Sequence, residues 1–229
     1  IDTLAGTWFL HNGFVVHSKK HLKATIEPLK HGYKAGVESG DLQFATLNIY
    51  LTILHSVAAG LNLDNLKQQA DTFYAEVERY GQNVEFSYFR GVRQLMDNLT
   101  VFDNSKSTFS GRCFEIEEMK HFYQNAKNNS GLALIWFNQL YLSFLFYKYE
   151  DAVVNAELTI KINMSIKGMI YIPLLCFYSA LSHLQTWPNA KKGRRKLLKT
   201  VTRNLKQLKT FAHHAPMNHL HKYQLVKAE

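Results

Sequence analysis

Residues 132–160 constrain this chain more than any other stretch. The run LALIWFNQLYLSFLFY, residues 132–147, is apolar almost all round. A helix of that composition has to be covered on most of its faces. Residues 151–160 follow, with Ala152, Val153 and Ala156 spaced three and four apart, so a second helix can pack back on the first. The polar joint Lys148-Tyr149-Glu150 between them is short enough only for an antiparallel turn. A helical hairpin is expected here, with further hairpins stacked on it.

The remaining chain supports an all-α fold of about ten to eleven helices, as the following segments show. A first helix is expected over residues 3–16. A second runs over 20–39, carrying Leu22, Ile26, Leu29, Tyr33 and Val37 at helical spacing. Pro28 lies inside it, so a kink is expected there. Gly32, Gly36 and Gly40 recur every four residues. They read either as a smooth stripe for close backbone approach or, at Gly40, as a C-terminal cap. Asp41 caps a helix over 42–59, ended by Gly60, with Ile49, Tyr50, Ile53 and Leu54 inward. Asp64 opens the next, over 65–80, which Gly81 stops. Helix–glycine–helix–glycine units at a period of roughly forty residues mark a helical array. A further helix covers 84–99.

Residues 100–114 are polar and turn-rich, and read as a long, mobile connection. Residues 1–99 are then N-terminal hairpins and 115–229 C-terminal hairpins of one helical-repeat domain. After the central hairpin, a helix is expected over 168–186, with Pro173 near its first turns. An amphipathic helix over 190–213 has Leu197, Leu198, Val201, Leu205, Leu208 and Ala212 as its apolar stripe. A closing helix spans 217–227.

Hydrophobic residues make up 46% and charged residues 20%, a balance that builds a core and argues against disorder. Cys113 and Cys176 are far apart in sequence and read as reduced thiols in a cytoplasmic protein. No signal peptide is visible, and Ile1 starts inside an apparent helix, which suggests a segment of a longer chain. The apolar runs 132–147 and 168–182 fall short of the roughly 20 residues a membrane span needs.

The net charge of +9 is unevenly placed. From Lys191 onward there are eleven Lys/Arg and one acid; residues 1–190 are nearly neutral. Lys191, Lys192, Arg194, Arg195, Lys199, Arg203 and Lys206 form the candidate interaction surface. Such a face attracts nucleic acid, acidic lipid or an acidic partner. No aromatic stands between Trp187 and Phe211 for base stacking, so nucleic acid is not the expected partner. The apolar face is Leu/Val, without the aromatic anchors of a membrane-lying helix. A solvated outer face of a terminal hairpin is the plain alternative.

The familiar catalytic motifs are absent from the chain. It has no Walker phosphate cradle, nucleophile elbow, Cys-x-x-Cys pair or zinc-protease helix. Glu115, Glu117 and Glu118, and Glu150 with Asp151, sit at helix starts, where acids complement the dipole. His213, His214, His219 and His221 cluster around Pro216, but their spacing does not match that of zinc ligands. No catalytic, cofactor-binding or metal-binding residue is assigned, and no cofactor is expected within this segment.

Two resemblances add to this reading. Trp136, sixteen residues ahead of Ala152, with Tyr149 before that alanine, resembles the spacing of a tetratricopeptide-type repeat. Leu140 and Thr159 stand where that repeat usually has small residues. The stretch Phe211-Ala212-His213-His214-Ala215-Pro216-Met217-Asn218, continuing through His219-Leu220-His221-Lys222-Tyr223, resembles a signature of large signalling proteins. So do Lys20-His21-Leu22, Pro28-Leu29, Gly32-Tyr33, Glu38-Ser39-Gly40-Asp41 and Leu181-Ser182-His183-Leu184. Those proteins join a kinase-like domain, a P-loop ATPase, a tetratricopeptide-like helical segment, a GAF domain and often a sensor histidine kinase. The resemblance implies a tetratricopeptide-like α-α superhelix of stacked antiparallel hairpins, with recognition on its concave side. It implies a non-catalytic scaffold and sensing arm in a two-component signalling protein. Flanking ATPase and GAF or kinase domains would be partners, with a protein or small-molecule signal. ATP and Mg would be bound only in those flanking domains.

Overall fold

The computed structural model describes residues 3–81, 84–101, 107–187 and 194–229. Among these residues there is no β-strand; Gly111 and Phe114 form one isolated antiparallel bridge. Eleven α-helices are described, in two compact units.

The first unit holds residues 1–102 and 110–115. It contains α1 (Leu4–Leu10), α2 (Ile26–Ser39), α3 (Leu42–Ala58), α4 (Leu63–Val77) and α5 (Val84–Thr100). α2 packs on α3, α1 on both, α4 on α5, and α3 on α5. Ile49, Leu51 and Ile53 of α3, with Leu29, Phe89 and Met96, are fully enclosed. α3 is buried nearly all round because helices on several sides cover it.

Several helix ends differ from the sequence expectation. The first helix is α-helical only to Leu10, then continues as a π-helical segment, His11–Val15. α2 begins at Ile26 after a separate 3-10 turn, Leu22–Thr25. Pro28 therefore sits in the first turn of α2, where an N–H would lack an intrahelical partner, and no kink is needed. The three glycines divide between the two readings. Added Cβ atoms at Gly32 and Gly36 would collide with α3, at 2.4 Å from Asn48 and 2.9 Å from Ala45. Gly40 meets nothing and ends α2 in the left-handed conformation, φ 75°.

α4 is capped by Asn62, not Asp64. The Asn62 side chain accepts from the Asn65 N–H at 3.0 Å. Asn62→Ala is therefore expected to lower stability by about 1 kcal/mol, and Asp64→Ala by only a few tenths. Denaturant unfolding of the two variants checks this; equal losses would refute the assignment.

The second unit holds residues 103–109 and 116–229. It contains α6 (Ile116–Asn125), α7 (Asn129–Leu145), α8 (Tyr149–Ile162), α9 (Tyr171–Thr186), α10 (Arg194–His214) and α11 (Pro216–Ala228). Each packs on the next in chain order, α7 on α8, α8 on α9, α9 on α10 and α10 on α11. The expected hairpin is present. Ala152, Ala156 and Thr159 of α8 and Leu140 of α7 are completely buried.

The hairpin joint lies two residues earlier than its polarity suggests. Tyr147 turns left-handed at φ 61°, and the Lys148 N–H reaches back to the Ser143 carbonyl at 2.8 Å. The same closure ends α6, with Lys127 at φ 51° and Asn128 N–H bonded to Tyr123 at 2.8 Å. It ends α3 through Gly60, φ 72°, and Leu61 bonded to Ser56. Only one of these three turns carries the glycine that suits it. Lys127→Gly is accordingly expected to raise stability by about 0.5–1 kcal/mol, since it removes left-handed strain at an exposed position. A lower denaturation midpoint would contradict it.

Residues 107–114 are not a free linker. Phe109, Cys113 and Phe114 are buried. In the first unit, Gln94 accepts from the Cys113 N–H at 3.1 Å, and Arg90 donates to the Cys113 carbonyl at 2.8 Å. In the second, Gln139 brackets the chain, accepting from Phe109 N–H and donating to the Ser107 carbonyl, both at 2.8 Å. A polar sequence can pack when its backbone groups find side-chain partners. Residues 102–106 lie outside the described residues.

Candidate interaction surface

α10 is the long amphipathic helix the sequence implied. Val201, Asn204, Leu208 and Ala212 are its buried face. Leu208 joins Cys176, Phe177, Ala180 and Leu181 of α9 and Val226 of α11 in one core cluster, with Leu205 and Phe211 partly buried against it. Two polar contacts set the register on α9. The Asn204 amide donates to the Ser179 hydroxyl at 3.0 Å, and the Cys176 thiol donates to Gln207 at 2.9 Å.

Leu198 was expected in the apolar stripe and is 53% exposed. The stripe is centred on Val201, Asn204 and Leu208, and at 100° per residue Leu198 falls to its side. Asn204 takes an inward place that hydrophobicity alone would not assign, because Ser179 satisfies it.

The cations lie outward. Arg194, Arg195, Lys199, Arg203 and Lys206 are all exposed, whereas Lys191 and Lys192 lie outside the described residues. Arg194 stands over the Trp187 ring, 5.6 Å from its centroid. Lys196 pairs with Glu157 of α8 at 3.0 Å, an exposed contact that contributes little to stability.

The other groups weighed as chemistry do not converge. Glu117 and Glu118 are in the first turn of α6, and Glu117 pairs with Lys120 at 2.6 Å. Glu115 accepts from the Ser110 hydroxyl at 3.0 Å. Glu150 and Asp151 occupy the first turn of α8. His219 is buried against Phe211, while His213, His214 and His221 are exposed. Among the described residues, no three His, Cys, Asp or Glu side chains are placed to hold a metal ion. No described helix is long and apolar enough to cross a membrane.

Sequence reading missed a charged cluster in the first unit. Arg93 and Asp97 of α5 face Lys67 and Asp71 of α4, with Arg93–Asp71 at 2.8 Å and Lys67 paired to Asp97. Arg93 also donates to the Cys113 thiol and stacks 4.5 Å over Tyr74. Its signal was legible: opposite charges four apart on consecutive helices, Lys67/Asp71 and Arg93/Asp97.

The thiols are held away from reaction. Burial pushes the Cys113 thiol up, opposed by Arg93 and reinforced by Asp97. Burial pushes the Cys176 thiol up to about 12. Neither is in a disulfide. Both are expected to resist maleimide at neutral pH in the folded chain and to label fully in denaturant. Fast labelling under native conditions would show the sites to be open.

Part of the chain is similar to a known signalling protein. It is 28% identical over 93 residues to Hybrid signal transduction histidine kinase G of Dictyostelium discoideum, a stretch that is 41% of this chain. The chain spans about 2% of the length of that relative. No protein-family profile and no solved structure matches.

Proposed function

We propose that this chain is a non-catalytic helical scaffold of a signalling protein of the histidine kinase kind, holding partners or neighbouring domains through its outer faces. The observation that carries it is the partial likeness to a hybrid signal transduction histidine kinase, in which the matching segment is a very small share of the whole. A segment of that size in a large kinase suits an arm better than a reaction centre.

Two features support the reading. The helices pack mainly on their neighbours in chain order within the second unit, as hairpin repeats of the tetratricopeptide type do. The carboxylates weighed as catalytic sit in the first turns of helices, where acids complement the dipole, or are engaged by Lys120 or by the Ser110 hydroxyl. In this role the ATPase, GAF and kinase domains of the same protein are the partners, and ATP and Mg belong to them. The setting is cytoplasmic.

The test is the reading frame that encodes the chain, together with an assay of the purified chain. A P-loop ATPase, GAF or histidine kinase core in the same frame, and no phosphate release from ATP by the chain alone, are expected. A frame with none of these domains, or ATP turnover by the isolated chain, overturns the proposal.

A further inference from the structure

The outward face of α10 is one-signed and ordered. At 100° per residue, Arg195, Lys199 and Lys206 fall within about 40° of one another, and Arg203 and Lys209 flank them. All five are exposed. Among the described residues no acid forms a salt bridge with any of them; the α10 pair that exists, Lys196–Glu157, lies beside this row. α10 itself has no acid, and α11 has none. The row from Arg195 to Lys209 runs about 21 Å along the helix. Leu198 adds one exposed apolar side chain at its start.

We infer that this face docks an acidic amphipathic segment of another protein or domain, an extended or helical stretch of Glu/Asp with apolar residues between. Charge complementarity supplies the sign, and Leu198 supplies a point where an apolar side chain of the partner loses water. Two other anionic occupants fit less well. A lipid surface would need the apolar face of α10, and Val201, Leu208 and Ala212 are turned into the core. Nucleic acid would use cations and stacking aromatics, and the exposed apolar residue in this row is a leucine, which offers neither. The inference rests on the scaffold reading and names the chemistry of one partner.

The experiment is a fluorescence anisotropy titration of the whole chain with a labelled peptide of roughly four helical turns, alternating Glu pairs and Leu. A peptide with Gln in place of Glu, a duplex DNA and phosphatidylserine vesicles are run beside it. The acidic peptide is expected to bind about tenfold tighter than the Gln peptide and tighter than DNA or vesicles, with affinity falling as salt rises. Reversing Lys199, Arg203 and Lys206 to Glu is expected to lower peptide affinity by about tenfold or more with the circular dichroism unchanged. Leu198→Ser is expected to lower it by about threefold. These sites are exposed, and should the triple reversal lower the helix content, the milder Lys199→Gln with Lys206→Gln is expected to weaken peptide binding in the same direction. Equal binding of the acidic and Gln peptides, retention by the reversed variant, or tighter binding of DNA or vesicles overturns the inference. If the peptide fails while the reading frame encodes a kinase core, the docking face is wrong and the scaffold reading stands.

Discussion

Gly32→Val is expected to destabilise the first unit by about 3 kcal/mol, against the helix propensity of the site. An exposed helical glycine replaced by a residue with a side chain normally gains stability, by about 1 kcal/mol for alanine. Here the space is already occupied. A Cβ on Gly32 would stand 2.4 Å from the Asn48 Oδ1, 2.6 Å from its Cγ and 2.7 Å from the Trp8 Cβ. Asn48 cannot withdraw cheaply. It is fully buried, and its amide donates to the Ala5 carbonyl of α1 at 2.9 Å and to the Phe44 carbonyl at 2.8 Å. Displacing it breaks the tie between α1 and α3 and strands a buried carbonyl. Gly40→Ala is the comparison. Nothing lies near an added Cβ, so the only cost there is the left-handed strain it introduces, about 1 kcal/mol. Denaturant midpoints by circular dichroism should rank Gly32→Val well below Gly40→Ala. A Gly32 variant as stable as the parent would mean the helices separate more easily than their packing implies.

Acid should weaken this chain before its carboxylates are protonated, and His55 is the main reason. Its ring is completely buried on α3. Nδ1 is 2.7 Å from the Thr25 hydroxyl, whose proton goes to the Leu22 carbonyl at 2.7 Å. His55 therefore donates through Nδ1–H, and a second proton would have to sit on Nε2, which is buried without a hydrogen-bond partner. Burial, then the neighbouring His17 at 5.9 Å between ring centroids, brings its pKa down to about 3. The unfolded value is 6.5. Between those two values the unfolded chain takes a proton that the folded chain refuses. Stability is thus whole above pH 6.5 and falls as the pH drops toward 3. The slope approaches 1.4 kcal/mol per pH unit, or about 2–3 kcal/mol lost near pH 4.5. In the second unit, burial also lowers the pKa of His183, which adds in the same direction. Comparing unfolding free energies of the parent and His55→Leu between neutral pH and about pH 4.5 isolates the effect, because other groups titrate in both. Equal losses in the two chains would remove His55 from the account.

These two sites show how legibility is divided. The glycine repeat was visible at spacing four, but not which glycines touch a neighbour and which merely end a helix. That depends on where α3 crosses, and Asn48 and Trp8 are far from Gly32 in sequence. His55 carries no local signal of its role, because its partner Thr25 is thirty residues away. The basic helix was legible because charge and apolar period share one segment. Its inward Asn204 and outward Leu198 were not: Ser179 on α9 satisfies the first, and the second falls to the side of the buried face. Residues 107–114 read as free chain since polar composition signals a loop, yet Gln94 and Gln139 bind that backbone from two helices.

By itself the sequence determined that the fold is all-helical, where most helices lie, that residues 132–160 form a hairpin, and that the positive charge gathers near the C-terminus. Those are properties of period, composition and turn chemistry, which act over a few residues. Only the tertiary structure decided the division into two compact units, which of the repeated glycines meet a neighbouring helix, and which polar side chains are buried. Those outcomes depend on neighbours brought together by the core, and local pattern carries no record of distance in space.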